Sequence, residues 1–140
     1  MIIFDGEFEQ TLDPKNRLRI PSKLKEMAKG EQLFMYRSEL PCIQILPASA
    51  REKVLEKIEP FRISESAVSM PLRQWVSSCR EVEEDNQGRF IVPKSLRERA
   101  GITKSVVFIG FGGRIEMWAK EVWEQQNAEI AWDKLKEAGI

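Results

Sequence analysis

DPKNRLRIPSKLKEMA (13–28) and DNQGRFIVPKSLRERA (85–100) are two copies of one pattern. A shift of 72 residues aligns them with six identities: Asp13/Asp85, Arg17/Arg89, Pro21/Pro93, Leu24/Leu96, Glu26/Glu98 and Ala28/Ala100. Leu18/Phe90, Ile20/Val92 and Lys25/Arg97 are close replacements. The same shift, with no gap, carries CIQILP (42–47) onto RIEMWA (114–119) and sets Ile43 on Ile115. Chance does not hold a register over that length, so the chain is a tandem duplication.

Each copy has the same predicted elements. EFEQTL (7–12) and CREVEE (79–84) read as polar, part-alternating strands. DPKN and DNQG are turns: Asp bonds its own downstream backbone, and Asn16 or Gly88 accepts positive φ. LRI and RFIV resume an extended run. IPSKLKEMA and VPKSLRERA predict one short helix each, with Pro at the first helical position and Leu24 or Leu96 facing inward. QLFMYR with CIQIL, and SVVFIG with RIEMW, close each repeat as a hairpin.

Further helices are predicted outside the repeats. SAREKVLEKI (49–58) carries Val54, Leu55 and Ile58 at helical spacing. RISESAVSMPLRQWVSS (62–78) reads as helical, interrupted at Pro71. AKEVWEQQNAEIAWDKLKEA (119–138) reads as a helix with Val122, Trp123, Ile130 and Leu135 on one face and Trp132 close to it, a stripe suited to core or oligomer contacts. The expected division is a first repeat over 5–51, a helical connector over 52–78, a second repeat over 79–123 and a C-terminal helix over 124–140. No Gly-, Ser- or Pro-rich linker separates the halves, so both repeats are expected to share one core.

The 140 residues suit one compact domain or two very small ones. The chain contains no histidine, which excludes Ser-His-Asp triads, Cys-His pairs and His-based metal sites. Cys42 and Cys79 form neither a zinc site nor a disulfide framework and point to a reduced, cytoplasmic compartment. GFGGR (110–114) lies between two strand-like runs, so it is a hairpin turn and not a phosphate loop. No apolar run is long enough to span a membrane, and MIIFDGEFEQ lacks the basic leader of a signal peptide. No carboxylate pair stands out, so no enzymatic activity, metal or cofactor is expected.

Net charge is zero, from 22 basic and 22 acidic residues. Within each half, however, the signs are separated in the same order. Asp5, Glu7, Glu9 and Asp13 precede Lys15, Arg17, Arg19, Lys23, Lys25 and Lys29. Glu81, Glu83, Glu84 and Asp85 precede Arg89, Lys94, Arg97, Arg99 and Lys104. Such runs are usually solvated faces, but the repeated order suits a local anion-binding surface.

FDGEFEQTLDPKNRLRIP, together with DNQGRFIVPKSLRERAGITKSVVFIGFGGRIEMW, resembles the MraZ family, whose chains contain two SpoVT/AbrB-type repeats. The resemblance runs from Phe4 to about Trp123 and rests on the doubled Asp-x-x-x-Arg turns and the Gly-Arg-Ile-Glu-Met-Trp ending. Asn16 departs from the family's usual Gly, but Asn tolerates left-handed backbone. The resemblance implies a β-rich α+β fold, a double-split AbrB-like β-barrel of swapped hairpins made by both repeats of one chain. It also implies a cytoplasmic, nucleoid-associated repressor. Such a protein binds direct DNA repeats in its own promoter, ahead of the cell-division and cell-wall gene cluster, as a ring-like homo-oligomer.

On that reading Lys15, Arg17, Arg19, Lys23, Arg89 and Lys94 contact double-stranded DNA, while Asp13, Asp85, Asn16 and Gly88 shape the turns. The alternative for Arg17 is to fold back onto a carboxylate, and for Arg89 to be held by Glu83 and Glu84. Two rival functions remain in view. One is an antitoxin-like partner that wraps its target with a disordered tail, to which an ordered C-terminal helix is opposed. The other is a ring-forming scaffold.

Overall fold

The structure, a computed structural model, describes residues 1–61 and 69–140. In the first repeat, β1 (Glu7–Thr11), β2 (Arg17–Arg19), α1 (Ser22–Met27), β3 (Leu33–Arg37) and β4 (Ile43–Pro47) follow the predicted order. After α2 (Ala48–Ile58), a 3-10 turn (Glu59–Phe61) and α3 (Ser69–Ser77) comes the second repeat: β5 (Arg80–Glu81), β6 (Arg89–Ile91), α4 (Lys94–Arg99), β7 (Ser105–Phe111) and β8 (Arg114–Ala119). The chain ends with α5 (Lys120–Gln126) and a 3-10 helix (Trp132–Ala138).

Six strands form one sheet in the order β1-β7-β8-β4-β3-β5, and β2 pairs with β6 in a separate two-stranded ribbon. Every ladder is antiparallel. The first strand of each repeat lies on the other repeat's hairpin: β1 on β7, and β5 on β3. The hairpins meet at β4 and β8, where Gln44 faces Glu116, its own equivalent under the 72-residue shift. The repeats are therefore interlocked by strand exchange about a pseudo-twofold axis. The expected closed barrel is not formed by the ladders. Among the described residues two sheets are present, and the larger is open, with β1 and β5 as its edges.

One apolar cluster takes residues from both repeats in equivalent pairs: Leu18 with Phe90, Ile20 with Val92, Leu24 with Leu96, Ala28 with Ala100, Ile43 with Ile115. Leu24 is completely buried. A side chain so placed stabilises the fold by about 2 kcal/mol, and a cavity in its place costs more. Neither half could keep these surfaces from water alone.

Several predicted elements differ in detail. Pro21 and Pro93 stand at the N-caps of α1 and α4, one position before the first helical residue. The strand expected over 79–84 reduces to Arg80–Glu81, with one further backbone bond from Val82 N–H to Leu33 C=O. The helix expected over 62–78 lies partly outside the described residues. Its described part, α3 (Ser69–Ser77), runs through Pro71 instead of breaking there.

The C-terminal helix is the largest difference. α5 ends at Gln126 with Asn127 as its C-cap, and a separate 3-10 helix follows. Val122 packs on the core, but every residue from Glu124 to Ile140 is exposed, Ile130, Trp132 and Leu135 included. An amphipathic stripe without an apolar partner lacks the packing that holds a helix together.

Candidate nucleic-acid interface

Local chain chemistry builds the two Asp-x-x-x-Arg turns almost identically. Asp13 Oδ1 accepts the backbone N–H of Lys15 and of Arg17, both at 2.9 Å. Asp85 Oδ1 accepts those of Gln87 at 2.8 Å and Arg89 at 3.0 Å. Asn16 N–H donates to Asp13 C=O at 2.9 Å, and Gly88 N–H to Asp85 C=O at 3.0 Å. The turns require positive φ at one position, met by Asn16 at 59° and Gly88 at 76°. Asn16 thus performs the backbone role of a glycine, as expected of a short side chain that tolerates this conformation.

The ribbon brings the two turns side by side. In its register Leu18 faces Phe90, while Arg17 faces Ile91 and Arg19 faces Arg89. Leu18 and Phe90 point into the core, so strand alternation places Arg17, Arg19, Arg89 and Ile91 together on the opposite, outward face. Each arginine grips the aspartate of its own turn through Nε: Arg17 to Asp13 Oδ2 at 2.7 Å, Arg89 to Asp85 Oδ2 at 3.3 Å. Each also crosses to the other turn through Nη1: Arg17 to Asp85 at 3.6 Å, Arg89 to Asp13 at 3.7 Å. The four side chains form a closed ring of alternating charge.

The carboxylates respond to these donors. Burial pushes the Asp13 carboxyl up, but the backbone N–H and guanidinium of Arg17 and the Lys15 amide outweigh it and hold the group below its ordinary 3.8. The Arg89 backbone N–H, opposed by burial and aided by the Gln87 amide and the Arg89 charge, lowers Asp85 likewise.

The structure thus gives Arg17 the folded-back geometry, onto its own aspartate and its neighbour's. Arg89 is held by Asp85 and Asp13; Glu84 instead pairs with Lys25. Both arginine side chains remain partly exposed, at 22% and 26%. Arg19 is exposed and donates from Nε to the Gln87 carbonyl of the other turn at 2.9 Å. Lys15 and Lys23 are exposed and form no ion pair among the described residues. Lys94 is exposed, 3.8 Å from Glu98. Sequence reasoning missed Ile91 and Gln87. Their sign was available in the alignment, where Ile91 stands on Arg19 and Gln87 on Lys15, which makes the second turn less basic than the first.

These doubled turns sit inside a chain-long similarity. The family profile described as "MraZ protein, putative antitoxin-like" matches residues 3–73 and 77–138. The chain belongs to the MraZ family. Three relatives are each named transcriptional regulator MraZ. That of Symbiobacterium thermophilum is 38% identical over 89% of this chain and 89% of its own length. That of Heliobacterium modesticaldum is 34% identical over 92% and 90%. That of Clostridium acetobutylicum is 34% identical over 99% and 100%. These relatives are named as transcriptional regulators, a role with which a surface of arginines, lysines and turn aspartates is consistent. Among the described residues no helix is long and apolar enough to cross a membrane, and no group of His, Cys, Asp or Glu is placed to hold a metal ion.

Proposed function

We propose that this protein is a sequence-specific DNA-binding transcriptional repressor that acts in the cytoplasm on the nucleoid. On this reading it binds direct repeats in its own promoter, ahead of the cell-division and cell-wall gene cluster, as a ring-like homo-oligomer. The observation that supports it most is the outward ribbon face, which holds Arg17, Arg19 and Arg89 together. Lys15, Lys23 and Lys94 supply phosphate contacts, which give most of the affinity; the arginines supply base selection. Asp13 and Asp85 preorganise the arginines through Nε and Nη1, and a guanidinium with five donors has others left for phosphate or guanine. The paired strands form a two-stranded ribbon, a shape that the major groove admits. The strand exchange agrees with the swapped-hairpin plan of an AbrB-like barrel, although the ladders leave the sheet open.

One subunit offers few phosphate contacts, so linked subunits raise the affinity through effective concentration. Head-to-tail subunits present the same face in the same direction, so the operator carries direct repeats spaced by about 10 base pairs, one helical turn. A gel-shift panel on the DNA upstream of the protein's own gene tests this. A half-turn displacement of one repeat should weaken binding far more than a whole-turn one, and an isolated repeat should bind poorly. Equal binding by all members of the panel refutes the mechanism.

A second reading has one observation in its favour. The stretch 124–140, exposed throughout, is not the single packed helix that opposed antitoxin-like wrapping of a partner but is broken after Gln126. Loss of the gel shift on removal of the ribbon arginines, with none on removal of this stretch, separates DNA binding from that role.

A further inference from the structure

The outward face of the ribbon is not fully polar. Ile91 lies in it at 63% exposure, directly opposite Arg17 and one alternation from Arg89. A single exposed isoleucine on a protein surface ordinarily needs no account. Among the outward ribbon residues it occupies the position at which the pseudo-twofold is broken: its equivalent in the first repeat is Arg19. Arg17 and Arg89 obey the symmetry, so the four outward residues consist of three guanidiniums and one branched alkyl group.

Apolar side chains among arginines have a specific use on a DNA-facing surface. In the major groove thymine is marked by its C5-methyl group, which is read by apolar contact and not by hydrogen bonds, whereas guanine O6 and N7 suit a guanidinium. We infer that Ile91 packs against a thymine methyl in each operator repeat and so selects thymine at one position, while Arg19 serves the pseudo-equivalent position of the other half. The inference rests on the DNA-binding reading above and adds the base that the ribbon selects. It also makes each bound repeat non-palindromic, since the two halves of the face differ in chemistry. Ile91 holds no core position that the fold depends on, as its neighbours Phe90 and Val92 take the buried ones.

The experiment is a deoxyuridine scan. Each thymine of an operator repeat is replaced in turn by deoxyuridine, which removes only the methyl, and affinity is measured for the wild-type protein and for Ile91→Ala. For the wild type, one replacement per repeat should weaken binding by about 4-fold, the effect of one buried methyl. Ile91→Ala should bind the unmodified operator more weakly, be insensitive to that replacement and keep the wild-type salt slope. Ile91→Val should retain part of the sensitivity. If Ile91→Ala responds to every replacement as the wild type does, the inference is overturned while DNA binding stands. If Ile91→Ala instead breaks the oligomer and leaves the deoxyuridine pattern intact, Ile91 is an assembly residue and the inference is likewise overturned. Failure of the wild type to bind the operator at all overturns the underlying reading, a result distinct from either.

Discussion

The guanidinium of Arg17 stands 3.6 Å from the carboxylate of Asp85, which lies 68 residues further along the chain. The reciprocal approach, Arg89 to Asp13 at 3.7 Å, completes the ring. Its origin is the ribbon register, which pairs Leu18 with its own duplicate, Phe90, and thereby sets the two turns about one axis. Two copies of an ordinary turn become a single four-residue surface, in which each basic group is held by two acids.

Arg17→Ala should therefore act in two ways. It removes a donor from the proposed DNA face, and it leaves Asp13 with one fewer cation beside an approaching phosphate. Operator affinity should fall by at least about 10-fold, the scale of one charge-assisted hydrogen bond, with the oligomer unchanged by size-exclusion chromatography. Normal affinity would make the arginine purely structural.

Binding should weaken steeply with salt although the chain is neutral overall. Lys15, Arg19 and Lys23 are exposed on or next to the ribbon, so counterion release is local. Log affinity should fall linearly with log salt, and Lys15→Ala, by removing one phosphate-binding cation per subunit, should make the slope shallower by about one unit for each subunit on the DNA. A flat plot for the wild type removes the phosphate mechanism.

Acid should loosen the paired turns. Asp13 and Asp85 both ionise below their ordinary 3.8 in the folded protein. Just below that pH the unfolded chain therefore binds more protons than the native one. Their contribution is complete above the unfolded value and is lost as pH falls through the folded values. Urea midpoints should decline as pH falls below about 5. Asp13→Asn with Asp85→Asn should lower stability at neutral pH and flatten that decline; an identical acid limb in the variant would exclude the two aspartates as its cause.

Gly110 should tolerate no side chain. A Cβ there would lie 2.4 Å from the Asp5 backbone nitrogen, because the N-terminal segment runs antiparallel beside β7, with Gly110 N–H donating to the Gly6 carbonyl, and brings the Asp5 backbone against Gly110. Gly110→Ala should cost about 1–3 kcal/mol by forced overpacking, measured by urea unfolding. Gly113→Ala, with open space at its Cβ, is the control and should change little. Equal stability of the two variants would refute the close approach.

What the sequence determined by itself was everything repeated or local. The 72-residue shift revealed the duplication, the Asp-x-x-x-Arg spacing revealed the turns, and the successive apolar runs QLFMYR with CIQIL and SVVFIG with RIEMW revealed the hairpins. These depend on residues within a few positions of one another, where backbone preference and side-chain reach decide the outcome. The tertiary structure decided the rest. It alone placed β1 on β7 and β5 on β3, since a strand's periodicity states that it needs a partner but not which one. It alone closed Arg17 and Arg89 onto two aspartates each, because half of those ion pairs cross between repeats. It ended the C-terminal helix at Gln126, where the apolar stripe continues but its Ile130, Trp132 and Leu135 are left exposed. Burial is a property of the whole chain, and a stripe of Ile130, Trp132 and Leu135 cannot announce from its own spacing whether anything will pack against it.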